Sequence, residues 1–317
     1  MKAAVIDLGT NTFHLIIAEL YPPGTSQDGS LPQTSKSFKV LYKTNIPVRL
    51  GQGRINDNVI IPEAFERGLE ALKAFRKEID RYQVDKVRAI ATSAVRNASN
   101  GKDFVTAAST ETGIVIEVIT GQQEAEYIYH GVEASGAIND TSLVMDIGGG
   151  STEFIICSPG ELLWKDSYDI GAARLMQAYF KSDPLSTADR SLIIDKLDVS
   201  LEGLKSACMV YQPSSLIGSA GAFESFAAMI DPALQLEKTA AVLLDLGEYH
   251  NLSTRLLSSS HAEREKMEGL IPLRVDMIVM ASLLTSFVTG FVQPKHLYLS
   301  TYDLKMGVLA QMAINAR

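Results

Sequence analysis

Cysteine is nearly absent from this 317-residue chain: Cys157 and Cys208 are the only two, and Cys157 lies inside an apolar run. A disulfide framework is excluded, and a reducing compartment fits. The five histidines and two cysteines show no metal-ligand spacing, which argues against zinc. No Gly-x-Ser-x-Gly elbow occurs, so a nucleophilic serine hydrolase is unsupported. Positive charge is in deficit, with 29 Lys and Arg against 37 Asp and Glu, a net charge of −8 and a pI near 5.2. That balance argues against a nucleic-acid partner, although a polyanionic ligand would still need a local basic cleft. No stretch approaches the ~20 apolar residues of a spanning helix, and the first residues read as a strand rather than a leader. The expectation is a soluble cytoplasmic protein with no membrane partner. At 46% hydrophobic and 21% charged, a chain of this length supports two cores.

Among what is present, residues 143–157 stand out as two apolar strands joined by the turn Gly148-Gly149-Gly150-Ser151, followed by Thr152. Three glycines admit positive φ and let a ligand approach bare backbone, whose N–H groups suit phosphate oxygens. Asp146 closes the first strand and Glu153 opens the second, and carboxylates beside phosphate imply a cation between them. An ordinary tight hairpin would look similar, but the chain repeats the pattern at its start. Residues 5–18 superpose without a gap on residues 144–157: Asp7 falls on Asp146, Gly9 on Gly148 and Thr12 on Ser151. Two copies of strand, Asp-x-Gly turn and strand predict two related lobes facing each other across a phosphate.

Between and after the copies, the pattern predicts a turn-rich loop at 22–30 and a strand at 38–50. A helix from Pro62 follows, then a strand at 87–92, a helix at 103–112 and a strand at 114–119. Arg96 lies just beyond the 87–92 strand, where open α/β sheets place ligands; it reads either as a solvated arginine or as a phosphate fork. Glu124 falls in the first turn of a helix after 114–119. The helix dipole alone explains a carboxylate there, and a general base that orients water explains it equally. Strand 161–170 leads to Gly171 and Arg174 at a helix start, a further anion site. The remaining expectations are one amphipathic helix at 186–208, a strand at 214–217 emptying into the small-residue turn 218–222, and helices at 239–257 and 261–268. A long apolar helix from Pro272, a strand at 296–299 and a helix at 302–316 complete the chain. The turn at 218–222 suits close backbone packing or a nucleotide base.

The blocks "IDLGTNTFHLIIA", "ATSAVRNASNGKDF", "ITGQQEAEYIYHGV", "VMDIGGGSTEFII", "DIGAARL" and "LIPLRVDMI" resemble the exopolyphosphatase and guanosine pentaphosphate phosphohydrolase family, in order, to about position 280. The resemblance implies an α/β protein of two ribonuclease-H-like lobes with the actin, sugar-kinase and heat-shock-chaperone ATPase fold. The first lobe would comprise 1–120 plus 301–317 and the second 121–300. It implies phosphate contacts from Gly9, Thr10, Asn11, Arg96, Gly148, Gly149, Gly150, Ser151, Thr152 and Arg174. Glu124 becomes the catalytic glutamate, and Asp146 and Glu153, with Asp7, hold Mg²⁺ or Mn²⁺. The chain departs from the family at Gln123, usually glutamate, and at Glu126, often arginine, which predicts altered charge near the metal. The extra helical module of longer members is expected to be absent.

The expected reaction is release of terminal phosphate from polyphosphate or guanosine pentaphosphate by in-line attack of water. A kinase or ATPase of the same fold, binding ATP at 218–222, is the rival reading. A weakly catalytic sensor of the same ligands is another, and a homodimer is compatible with either.

Overall fold

The computed structural model describes residues 1–21 and 38–315; the loop expected at 22–30 lies outside them. The chain divides into two compact units, Met1–Ala134 with Leu304–Arg317, and Ser135–Asp303.

The first unit opens with β1 (Lys2–Leu8), β2 (Thr12–Leu20) and β3 (Phe38–Pro47). Helix α1 (Pro62–Arg81) follows, then β4 (Lys86–Ala91), α2 (Ser93–Asn97), α3 (Gly101–Thr112), β5 (Ile116–Val118) and α4 (Gly121–Ser135). The five-stranded sheet has the order β3-β2-β1-β4-β5, with β1, β2 and β3 antiparallel and β4 and β5 parallel to β1. Alternation along β1 and β2 sends Ile6, Leu8, Phe13 and Leu15 into a core closed by Leu69, Leu72 and Phe75 of α1 and Phe104 of α3. Pro at the first position of α1 costs no hydrogen bond, because that N–H would be unpaired in any case. Pro47, which lacks an N–H for the ladder, ends β3 three residues before the expected end at 50.

The second unit holds β6 (Ser142–Ile147), β7 (Thr152–Ser158), β8 (Glu161–Tyr168), α5 (Ala172–Tyr179), α6 (Thr187–Ser200), α7 (Glu202–Tyr211), β9 (Ser215–Ser219) and α8 (Ala220–Ile230). It continues with β10 (Ala241–Leu244), α9 (Leu246–Ser258), α10 (His261–Arg264), α11 (Ile278–Val292) and β11 (His296–Ser300). Its sheet order is β10-β11-β9-β6-β7-β8. Strands β6, β7 and β8 are antiparallel while β9 and β11 run parallel to β6, which repeats the first sheet with one extra antiparallel strand, β10, at the edge. The chain therefore forms two ribonuclease-H-like lobes of the actin, sugar-kinase and chaperone ATPase fold. The hairpin registers repeat too: Leu8 pairs with Phe13 and Asp7 with His14, as Ile147 pairs with Thr152 and Asp146 with Glu153.

The closing helix α12 (Leu304–Ile314) packs on β1 and β2, and Gly307 lets it lie against α4. The compact first unit thus runs one helix further than the expected boundary at 120. The reason is physical, since α4 is tied into that unit by α12 and by the Arg96–Glu124 ion pair. Two other expectations are corrected. The single helix at 186–208 is two, meeting at the fully buried Leu201, which caps α6 and opens α7 outside helical geometry. The helix at 239–257 begins with strand β10, because the run Ala-Val-Leu-Leu has no helical period of its own and pairs with β11. Asp245 then starts α9 by accepting a hydrogen bond from the Glu248 N–H at 2.9 Å.

A Cβ at Gly307 would stand 1.8 Å from the Tyr127 carbonyl oxygen and 2.9 Å from the Gly131 nitrogen. Gly307→Ala is expected to cost about 1–3 kcal/mol, the usual range for overpacking, seen as a lower urea midpoint at unchanged slope.

Candidate active site

In the first unit, β1 ends at Leu8 and the chain turns through Gly9, Thr10 and Asn11. A Cβ on Gly9 would fall 2.8 Å from the Thr12 carbonyl oxygen, so the tightness of the turn requires glycine. The carbonyls of Thr10 and Asn11 are taken by the N–H groups of Gly51 (3.1 Å) and Arg49 (2.7 Å). Beside the turn, Thr92 closes β4 and its N–H and hydroxyl both reach the Leu8 carbonyl at 3.4 Å. One helical turn later, Arg96 donates from Nη1 to Oε2 of Glu124 at 2.8 Å and to the Ile119 carbonyl at 3.2 Å. Arg96 and Glu124, expected from sequence to serve the same chemistry, are therefore brought into direct contact.

Glu124 is 8% exposed, and burial raises its carboxyl above the ordinary glutamate range, with Arg96 opposing that rise by holding the charged form. Its other oxygen, Oε1, has no protein partner among the described residues and is not sealed from solvent. The first turn of α4 is fixed by a reciprocal cap. Oε1 of Gln123 accepts from the Thr120 N–H (2.9 Å) and hydroxyl (3.1 Å), while the Gln123 N–H donates to Thr120 Oγ1 at 3.2 Å. Gln123 is thus occupied in capping and Glu126 is exposed on α4, so neither joins the Arg96–Glu124 pair.

In the second unit the matching turn is held the same way. Gly148 donates to the Ser151 carbonyl at 3.0 Å, and a Cβ at Gly148 would sit 3.0 Å from that oxygen. The glycines of this turn are needed for closeness; the left-handed glycines of the described residues lie elsewhere, at 53, 113, 136, 160 and 269. The carbonyls of Gly148, Gly149 and Gly150 accept from the first N–H groups of α5: Ala172 to Gly148 (2.9 Å), Ala173 to Gly149 (2.9 Å), Arg174 to Gly149 (3.1 Å) and Gly171 to Gly150 (3.3 Å). Arg174 adds its Nε to the Gly150 carbonyl at 3.1 Å. The start of α5 is consequently not the separate anion site expected there, because its donors are spent on the turn. What remains on offer are the N–H groups of Gly149, Gly150 and Ser151, which donate to no protein group among the described residues.

Asp146 and Glu153 are cross-strand partners, 7% and 1% exposed, and so project on the same side of the sheet. Glu153 Oε1 accepts from Ser167 Oγ at 2.7 Å, a support on β8 that no motif announced. Thr152 is fully buried and bonds the Ile170 carbonyl at 3.3 Å, so its hydroxyl braces the turn. No group of three or more His, Cys, Asp or Glu among the described residues forms a protein-only metal cage. Two carboxylates on adjacent strands nevertheless fit Mg²⁺ or Mn²⁺, which keep water and phosphate oxygens as their other ligands. Asp7 belongs to the first unit, where its cross-strand partner is His14 in place of a carboxylate.

The turn at 218–222 offers a nucleotide base no flat backbone. β9 runs straight into α8; a Cβ at Gly218 would meet the Phe223 ring at 1.9 Å, and one at Gly221 would meet the Arg274 guanidinium at 1.9 Å. Both glycines serve internal packing. Arg274 there donates to Ser225 Oγ at 3.1 Å and faces Glu224 at 3.4 Å, while Asp276 bonds His261 at 2.7 Å. These contacts explain the polar start before α11.

The model of the Ppx/GppA phosphatase family matches residues 31–316. The chain belongs to that family. A curated relative, the guanosine-5'-triphosphate,3'-diphosphate pyrophosphatase of Pseudoalteromonas translucida, is 32% identical over 240 residues, covering 74% of this chain and 46% of its own length. The chain thus spans about half the length of the curated relatives it matches. Among solved structures, an exopolyphosphatase from Cytophaga hutchinsonii is 37% identical with a TM-score of 0.91, covering 99% of this chain and 98% of that one. The Aquifex aeolicus Ppx/GppA family member, 24% identical with a TM-score of 0.81 over 100% of this chain and 99% of its own, shares the fold.

The folded state holds the Glu124 proton more tightly than the unfolded chain does, so any stability linked to that proton is present at low pH and lost as pH rises through the elevated pKa. Glu124→Gln, which can still accept from Arg96, is expected to be at least as stable as the parent at pH 8, measured by urea unfolding.

Proposed function

We propose that this chain is a phosphoanhydride hydrolase that releases terminal phosphate from inorganic polyphosphate or guanosine pentaphosphate. The observation that carries the reading is Glu124: a buried carboxylate with one oxygen held by Arg96 and the other open to solvent, in the same unit as a tight Asp-x-Gly turn. A water hydrogen-bonded to Glu124 Oε1 attacks the terminal phosphorus. A new P–O bond forms, the bridging P–O bond breaks, the water proton passes to Glu124, and the shortened chain leaves with the bonding pair. Arg96, whose Nε and Nη2 have no protein partner among the described residues, pairs with phosphoryl oxygens as charge develops. The Gly9-Thr10-Asn11 turn and the free N–H groups of Gly149, Gly150 and Ser151 bind phosphate oxygens. Asp146 and Glu153 of the second unit are the residues that would hold Mg²⁺ or Mn²⁺, which when bound would neutralise charge on the phosphate; Asp7 of the first unit is the further carboxylate that the family resemblance assigns to the metal.

Support comes from family membership and from the 37%-identical exopolyphosphatase that aligns over nearly its whole length. The packing of Gly218 and Gly221 weighs against the rival that binds ATP at 218–222. Assays of phosphate release from long-chain polyphosphate, guanosine pentaphosphate and ATP, each with Mg²⁺ and with chelator, test the reading. Release from either of the first two, abolished by chelator, is expected; tight binding with no release would sink it.

Glu124→Gln is expected to lower kcat by 10²–10⁴-fold, the range for loss of a general base. Because Arg96 favours the ionised form of Glu124, Arg96→Gln raises the Glu124 pKa further, so the acid limb of the kcat/KM profile moves to higher pH. A profile that keeps its acid limb in place would remove Glu124 as the titrating base.

A further inference from the structure

Arg49 adopts a left-handed backbone, φ 51°, that arginine rarely takes. The other non-glycine residues with positive φ, Asn58, Gln83, Gln212 and Gln293, all sit at helix ends, where that conformation terminates the helix. Arg49 terminates nothing. It lies in a short strap after β3, between Val48 and Leu50, both fully buried. The strap is pinned to the Gly9-Thr10-Asn11 turn by the Arg49 N–H on the Asn11 carbonyl (2.7 Å) and the Gly51 N–H on the Thr10 carbonyl (3.1 Å). From the other side Arg67 fastens it, donating to the carbonyls of Val48 (2.8 Å) and Arg49 (3.4 Å) and to Gln52 Oε1 (2.8 Å). Every backbone contact of the strap fixes where residue 49 stands. Its guanidinium is exposed and pairs with no protein group among the described residues. A strained position is held by its surroundings where something is gained from it. A glycine would fit this backbone without strain, so the arginine side chain is the feature retained.

We propose that Arg49 is a specificity residue of the first unit, binding a phosphate of the substrate other than the one released and thereby selecting substrates that carry a run of phosphates. This rests on the phosphohydrolase reading above. The Arg49 N–H is fixed on the Asn11 carbonyl of the turn, and the proposed contact is to a phosphate beyond the leaving one, which long-chain polyphosphate has and pyrophosphate lacks. The contact is made equally before and during bond cleavage, so it lowers KM and leaves kcat alone.

The test compares the parent, Arg49→Gly and Arg49→Lys for phosphate release from long-chain polyphosphate and from pyrophosphate, with thermal midpoints measured alongside. For Arg49→Gly a KM at least tenfold higher on polyphosphate is expected. Its kcat should stay within twofold, its salt dependence of KM should weaken, and its thermal midpoint should be equal or higher. Arg49→Lys should recover part of the KM, because it keeps the charge but loses the fork. On pyrophosphate the two variants should match the parent. Polyphosphate KM values within twofold of the parent in Arg49→Gly would overturn the inference, as would a loss confined to kcat or one that follows a lower thermal midpoint. A parent that releases phosphate from none of the substrates overturns the hydrolase reading instead, which keeps the two failures distinct.

Discussion

The capture of turn carbonyls by a neighbouring segment is the constraint on which both lobes depend. A tight four-residue turn between two buried strands leaves peptide groups that must be satisfied, and an unpaired buried carbonyl is costly. In the second unit the first N–H groups of α5, which any helix leaves without internal partners, supply the donors for Gly148, Gly149 and Gly150. In the first unit, where no helix follows, the strap at Arg49 and Gly51 does the same for Asn11 and Thr10. With the oxygens held from one side, the N–H groups of Gly149, Gly150 and Ser151 in the second unit are left without a protein acceptor among the described residues. Polarity is sorted by packing before any ligand arrives.

The same sorting governs Glu124. Burial raises its carboxyl above the ordinary glutamate range, and Arg96 opposes that rise by favouring the charged form. Arg96 contacts only Oε2, so the carboxyl group is held in orientation while Oε1 has no protein partner among the described residues. The Thr120–Gln123 cap fixes the helical turn on which that geometry rests. Substituting glutamine for the family's usual glutamate at 123 preserves an acceptor for the cap, which explains how the chain accommodates the change.

Much of this was legible in the sequence, and for physical reasons. The Asp-x-Gly hairpins were readable because strand alternation and turn length are local, and the gap-free match of residues 5–18 with 144–157 reappears as identical strand register. Segment 239–257 was misread because a short apolar run carries no period, and only its pairing with β11 makes it a strand. The break at Leu201 was hidden because a buried leucine suits a helix interior as well as a kink. Ser167 under Glu153 and the strap at Arg49 depend on contacts between distant parts of the chain, which composition and spacing do not encode. Arg174 was expected from the sequence to contact phosphate; in the structure its Nε braces the turn through the Gly150 carbonyl.

The paired registers of the two hairpins have a consequence for how such a chain can change over time. Side chains alternate sides with every residue of a strand, so inserting or deleting one residue in either turn would shift the strand after it against its partner and send Glu153 or His14, with everything after the slip, to the opposite face from Asp146 or Asp7. The residues beside the turns differ, with His14 standing where the second hairpin has Glu153, while turn length and register are the same in both. Each hairpin acts as a ruler, and the two rulers share one measure while carrying different side chains.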